Sequence, residues 1–140
     1  MTPAEVGRQW IEAGGPLLPG MRVLIPWSVG GFATPDLAGI IVDTGGTFPG
    51  LSAYIRGVGL VGDGKDCTPN VEDAATVGAM LGAVRERYGD AGAYVSIDGM
   101  DADRPWTVWV RLDSDPDSRD GVGHGATEPA ALLAAWRAAL

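Results

Sequence analysis

Cysteine and histidine are almost absent from this sequence: Cys67 and His124 are single examples in 140 residues. One thiol excludes a disulfide within the chain, and it also excludes a zinc site built from cysteine thiolates. Low cysteine usage fits a reducing compartment, so the expected location is the cytoplasm. We expect Cys67 to be a surface thiol without a role, and His124, between two glycines, to be an exposed loop residue.

Long apolar runs are also missing. The longest ones are far too short to span a bilayer. The first ten residues, MTPAEVGRQW, have neither the basic segment nor the apolar segment of a signal peptide. The sequence therefore predicts a protein that does not associate with membranes.

Basic side chains are outnumbered, because ten Lys and Arg residues stand against eighteen Asp and Glu residues, for a net charge of −8. Residues 1–70 carry four basic and six acidic groups, whereas residues 71–140 carry six basic and twelve acidic groups. An acidic surface repels nucleic-acid phosphates, so direct nucleic-acid binding is disfavoured. A partner protein with a basic surface is favoured instead.

Glycine and proline, by contrast, are frequent, with 22 and 10 residues, and they predict short elements joined by many turns. Thr2 and Glu5 form a capping box that starts an N-terminal helix. MRVLIPW, AGIIVDTGG and LSAYIRGV then predict three strands of a small antiparallel meander. A partly closed barrel is one form that such a meander takes. No signal for a two-residue hairpin is evident, so longer loops are expected.

The second half predicts an α-β-β-α layer. Asn70 is expected to cap a long helix that ends at Gly89. AYVSI and WTVWVRL predict two antiparallel strands, and DSDPDSRDGVGHGA predicts a polar loop. A last helix begins at Thr127 and carries an apolar stripe. The expected fold is therefore α+β, with a helix-plus-meander module at 1–66, an α-β-β-α module at 67–140, and both modules in one compact unit.

The segments TPNVEDAATVGAMLGAVRERYGD and GATEPAALLAAWRAAL, with a short hairpin between them, resemble small bacteriophage- and prophage-encoded proteins of unknown function. The resemblance covers about half the chain, residues 68–140, and consists of helix-start signals and core spacing. It implies a viral or prophage origin and action in the host cytoplasm. It implies no reaction and no catalytic residues.

The glycine-rich stretch RGVGLVGDGKDC nearly matches two nucleotide-binding fingerprints. Gly57, Gly59 and Gly62 have dinucleotide-loop spacing, whereas Gly59, Gly64 and Lys65 have P-loop spacing. Asp66 stands where a P-loop needs a hydroxyl, and the next helix starts too far away to face a phosphate. A turn between the two modules is favoured over a nucleotide site.

An acidic region lies between residues 98 and 120, where seven aspartates stand against three arginines. Alternate aspartates resemble the opening of a calcium loop, but Ser118 and His124 replace the Gly and Glu that complete one. We therefore predict no metal site. The region is expected to be an interaction surface for a basic protein: Asp98, Asp101, Asp103, Asp113, Asp115, Asp117 and Asp120.

A hydrolase interpretation uses Ser28, Asp120 and His124, which follow each other in the order of an α/β-hydrolase triad. Pro26 stands where the nucleophile turn needs glycine, so this interpretation is disfavoured. Trp27 and Phe32 are a candidate aromatic anchor for an interface. Trp10 and Trp136 are expected in the core.

The function favoured by these observations is non-enzymatic. The protein is predicted to bind a host protein or complex through its acidic surface, with an anti-defence or inhibitory role as one form, and without a cofactor. The alternatives are a nucleotide-sequestering protein that uses the 57–65 loop, and a virion structural component. Self-association through an edge strand and the Gly78/Gly82 helix face is also expected.

Overall fold

The computed structural model has an α+β fold with three helices and two antiparallel sheets in the part of the chain that it describes. The structure describes residues 1–29, 32–43, 51–56, 59–61, 67–97, 101–115 and 117–139, with backbone alone for 26–29, 32–36, 43, 51–52 and 59–61. The elements in chain order are α1 (Pro3–Glu12), β1 (Arg22–Val29), β2 (Phe32–Asp43), β3 (Leu51–Ile55), β4 (Gly59–Val61), β5 (Thr68–Pro69), α2 (Ala74–Tyr88), β6 (Tyr94–Ile97), β7 (Trp106–Val110), β8 (Asp120–Gly125) and α3 (Glu128–Ala138).

The first sheet confirms the predicted meander and extends it. Its strand order is β4-β3-β2-β1-β5, so the described strands form an open sheet rather than a closed barrel. Val29 pairs with Phe32, so only two residues separate β1 from β2, and the expectation of a longer loop is wrong there. Both intervening residues are glycine, a known signal for a short hairpin.

The predicted linker also contains a strand. Val23 of β1 pairs with Pro69 of β5, and Leu24 pairs with Thr68. The first residues of the second predicted module therefore complete the sheet of the first module. Cys67, just before β5, is 6% exposed, so the prediction of a surface thiol is wrong.

Helix α2 begins three residues later than predicted. Asp73 is the N-cap, since its Oδ1 accepts hydrogen bonds from the backbone N–H groups of Ala75 and Thr76 at 3.0 and 3.3 Å. Asn70 instead accepts from the N–H of Glu72, which makes a turn before the helix. The carboxylate of Asp73 satisfies two otherwise unpaired N–H groups, and this explains why the helix starts there.

The second sheet has three strands where two were predicted, in the order β6-β7-β8. Strand β8 lies inside the predicted polar loop. Its glycines at alternate positions give no apolar pattern, so the sequence did not indicate a strand. The structure explains them: a Cβ on Gly123 would meet the backbone of Ala131 and Ala135, because α3 packs directly on this strand.

One hydrophobic core includes residues from both halves of the chain. Trp10 of α1 and Trp136 of α3, 0% and 8% exposed, meet there with ring centroids 5.0 Å apart. This confirms that both tryptophans are core residues. None of the helices in the described ranges is both apolar enough and long enough to cross a bilayer.

Candidate functional site

The predicted acidic region divides into two separate loops. Asp101 and Asp103 lie in the connection that leads into β7, whereas Asp113, Asp115 and Asp117 follow the other end of that strand. A five-residue strand is about 17 Å long. The aspartates therefore do not form one continuous surface. Asp98, which also belongs to the predicted set, lies outside the described residues.

In the loop that precedes β7, the Asp101 carboxylate is already occupied. It accepts hydrogen bonds from the backbone N–H groups of Asp103 and Arg104, at 3.0 and 3.2 Å, and from Arg104 Nε at 3.1 Å. The bond from the Asp103 backbone is the main cause of a pKa below the usual value, and the Arg104 contacts add to it. This carboxylate therefore stabilises its own loop.

Residues 113–120, which lead from β7 to the first residue of β8, form the segment that we call the acidic loop. One oxygen of Asp113 accepts from the backbone N–H of Asp115 at 2.9 Å, and one oxygen of Asp115 accepts from that of Asp117 at 3.0 Å. These Asx turns fix the backbone. Asp113, Asp115, Asp117 and Asp120 are all exposed.

Arg111, just before the acidic loop, and Arg119, near its end, both bind Asp90, which sequence reasoning missed. The Asp90 carboxylate, 2% exposed, accepts from the backbone N–H of Arg111 at 2.9 Å and from that of Gly92 at 3.0 Å. The guanidinium groups of Arg119 and Arg111 lie 3.3 and 3.5 Å from it. The backbone bond from Arg111, with help from Arg119 and Gly92, lowers the Asp90 pKa from 3.8 to about 2 against the effect of burial.

The buried Asp90 engages both arginines that flank the exposed carboxylates of the loop. Arg111 lies two residues before the acidic loop and Arg119 just before its last residue, and both direct their guanidinium groups toward Asp90. Within the described part of the chain, the exposed carboxylates of the acidic loop have no ion-pair partner. The loop therefore keeps its negative charge despite two adjacent arginines.

The structure does not assemble the hydrolase triad. His124 is exposed, as predicted, but it lies in β8 rather than in a loop, and its Nδ1 is 3.1 Å from Thr107 Oγ1. Asp120 is four residues away on the same strand, or about 13 Å along it. Ser28 belongs to β1 of the other sheet. No group of three or more potential metal ligands occurs in the ranges that the structure describes.

Several residues of the predicted sites lie outside the described residues or have only their backbone described. Gly57, Gly62, Gly64 and Lys65 of the glycine-rich loop lie outside the described residues, and Gly59 opens β4. Trp27 and Phe32 lie on the paired strands β1 and β2, for which the backbone alone is described at these positions. The glycine-loop and aromatic-anchor hypotheses therefore stay predictions.

A cleft that the sequence analysis missed lies against the first sheet, with a volume of about 570 Å³. Strands β1, β2 and β3 and the segment before α2 contribute to its wall. The sequence carries no clear signal for it, because its lining residues come from four stretches that are separate in the sequence. The lining residues are Arg22, Val23, Ala38, Gly39, Ile40, Tyr54, Arg56, Asn70 and Asp73.

Comparison with protein-family models, with curated proteins and with solved structures gives no match for this chain. The acidic loop and the cleft are the two regions whose geometry bears on function.

Proposed function

We propose that this protein acts by binding, and that the acidic loop at residues 113–120 docks onto a partner protein with a basic surface. The observation that carries the proposal is the orientation of Arg111 and Arg119. Both turn to the buried Asp90 and leave the exposed carboxylates of the loop without a counter-ion among the described residues.

The loop is suited to this role because its backbone is held before a partner arrives. Asx turns fix Asp113 and Asp115, and Asp90 holds Arg111 just before the loop and Arg119 near its end. A pre-organised loop loses little conformational entropy on binding. Its uncompensated charge attracts a basic surface over a screening length of about 8 Å at physiological salt, which raises the association rate more than the final affinity.

The resemblance to phage-encoded proteins favours a host protein as the partner, and a nucleic-acid-handling or defence complex is one class with a basic surface. In that role the protein would act in the host cytoplasm as a competitor for the basic site. This proposal assigns the docking to one loop, because the aspartates before β7 lie at the opposite end of the strand.

The test is capture from a bacterial lysate by the immobilised protein at low salt, with mass spectrometry to identify the captured protein. The test variant carries Asp113→Asn, Asp115→Asn and Asp117→Asn together, because asparagine can keep the Asx turns. The matched control removes three carboxylates from other exposed positions and changes the net charge equally: Glu12→Gln, Glu72→Gln and Glu86→Gln.

We expect the wild type and the control to retain the same basic protein. The loop variant should bind it about tenfold more slowly at low salt, with a smaller difference at high salt. Equal association rates for the loop variant and the control would contradict the proposal. Rings or tubes formed by the protein alone would instead support the virion alternative.

A further inference from the structure

The cleft on the first sheet lies on the face opposite the core. Arg22, Ile40 and Tyr54 are paired neighbours on β1, β2 and β3, so they form one row across three strands. The adjacent residues Val23, Ile41 and Ala53 point to the other face and are at most 1% exposed. Since neighbouring strands are about 4.8 Å apart, Arg22 and Tyr54 stand roughly 10 Å from each other across Ile40.

The backbone of Arg22 is held in place by α2 and by the segment before it. Its N–H donates to Thr76 Oγ1 at 2.9 Å, and its carbonyl accepts from the Thr76 hydroxyl at 3.2 Å. The N–H of Asn70 also donates to this carbonyl at 2.8 Å. Thr76 is 0% exposed, so the base of the Arg22 side chain is fixed while its guanidinium remains at the surface of the cleft.

Two arginines whose side chains have no hydrogen-bond or ion-pair partner among the described residues line the cleft, Arg22 and Arg56. The side chain of every other described arginine makes a hydrogen bond or an ion pair. Arg85 and Arg87 bind main-chain carbonyls, and Arg137 binds Gln9. The remaining four are engaged with carboxylates: Arg8 with Glu12, Arg104 with Asp101, and both Arg111 and Arg119 with Asp90.

Asp73, the carboxylate that lines the cleft, forms no ion pair with either arginine among the described residues. Asp73 caps α2, and its Oδ1 accepts from two backbone N–H groups of that helix. Tyr54 adds an aromatic ring that is 42% exposed, and Ala38 and Ile40 add apolar surface. The cleft thus combines two free guanidinium groups with an aromatic ring and an apolar floor.

We propose that this cleft binds a small organic phosphate whose phosphate group contacts Arg22 and Arg56 and whose planar ring packs on Tyr54. Guanidinium groups match phosphate geometry and bind it by paired hydrogen bonds. A volume of about 570 Å³ is within the range of small-ligand sites. A long nucleic acid is disfavoured, because a polyanion would extend over a surface of net charge −8, whereas one phosphate interacts locally.

This proposal is independent of the docking role of the acidic loop, which belongs to the other sheet. The binding of the phosphate is assigned to the described residues of the cleft.

The test is isothermal titration calorimetry with three probes: AMP, phenyl phosphate and inorganic phosphate. The variants are Arg22→Gln, Arg56→Gln and Tyr54→Leu. Arg8→Gln is the matched control, because Arg8 is an exposed arginine of α1 whose one partner in the described chain is Glu12. Thermal unfolding of each unliganded variant checks that the fold is retained.

We expect AMP and phenyl phosphate each to bind Arg8→Gln with the same affinity as the wild type. Arg22→Gln and Arg56→Gln should each weaken the binding of all three probes about tenfold. Tyr54→Leu should weaken AMP and phenyl phosphate but leave inorganic phosphate unchanged. If no probe binds below about 5 mM, or if the arginine variants and Arg8→Gln lose affinity equally, the proposal is overturned.

Discussion

The hydroxyl of Thr76 makes two hydrogen bonds with the backbone of Arg22, 54 positions earlier in the chain: it accepts from the N–H and donates to the carbonyl. The first turn of α2 is thereby joined to the first residue of β1. The carbonyl of Arg22 has a second donor in the N–H of Asn70, whereas its N–H depends on Thr76.

Thr76→Val should therefore destabilise the protein by about 1–3 kcal/mol, because valine keeps the shape of this fully buried side chain but leaves the N–H of Arg22 without its acceptor. Urea denaturation measures the loss. Thr76→Ser is the matched control, since serine keeps the hydroxyl and lacks only a methyl group. If serine and valine cost the same, the two hydrogen bonds contribute nothing beyond packing.

Gly123→Ala should strongly lower the stability of the protein, although it adds only one methyl group. The new Cβ would meet the backbone of Ala131 and Ala135 in α3, and neither backbone can move without separating the helix from the strand. We expect a loss of about 2–4 kcal/mol in urea denaturation. In Gly121→Ala the nearest atom is a side-chain methyl of Thr107 at 3.0 Å, so a much smaller loss is expected. Equal losses would show that close helix packing is not the reason for glycine at 123.

Gly78→Ala and Gly82→Ala should each stabilise the protein. Both glycines lie within α2, and a Cβ at either position would have nothing within 4 Å among the described residues. Alanine gains about 0.5–1 kcal/mol over glycine inside a helix. Thermal unfolding and light scattering check this together. Lower stability with a smaller particle mass would instead indicate the self-association through this face that the sequence predicts.

Stability should fall at low pH through Asp90. Its pKa is about 2 in the folded protein and near 3.8 when unperturbed. A lowered folded pKa means that the carboxylate stabilises the fold above pH 3.8, and that this contribution is lost as the pH falls toward about 2. Asp90→Asn should be less stable than the wild type at neutral pH. Its stability should also fall less steeply than that of the wild type between pH 3.8 and about 2.

The measurement for Asp90 is the thermal midpoint of the wild type and the variant at several pH values between 5 and 2. Asp101→Asn is the comparison, because Asp101 also has a lowered pKa but is exposed. The dependence of the thermal midpoint on pH should differ less from that of the wild type in Asp101→Asn than in Asp90→Asn. Parallel wild-type and Asp90→Asn curves would mean that another carboxylate governs acid unfolding.

Local signals predicted those parts of the fold in which the deciding contacts are close in sequence. The capping box of Thr2 and Glu5 and the cap at Thr127 each span three residues, and the structure confirms both. The start of α2 was misplaced because Asn70 and Asp73 are both good caps and only the packing of Thr76 on β1 decides between them.

The sites could not be predicted because their partners come from distant positions. Asp90 follows a helix end and looks like an ordinary turn residue, yet its arginines lie 21 and 29 positions later. The cleft likewise needs the register of β1, β2 and β3, which no short pattern determines. Strand β8 was not predicted because it has glycines where a strand pattern needs apolar side chains. Those glycines are required because α3 packs directly on the strand.

The two-residue strand β5 has a consequence for the behaviour of the protein at high concentration. It occupies the β1 edge of the first sheet, and α1 lies so close that a Cβ on Gly7 would meet the carbonyl of Pro69. Proline has no N–H to offer another strand, and the helix covers what remains. This edge of the sheet is therefore protected against the edge-to-edge pairing that leads to fibrils. A chain that ended before residue 67 would lack β5 and would expose the edge of β1 to such pairing.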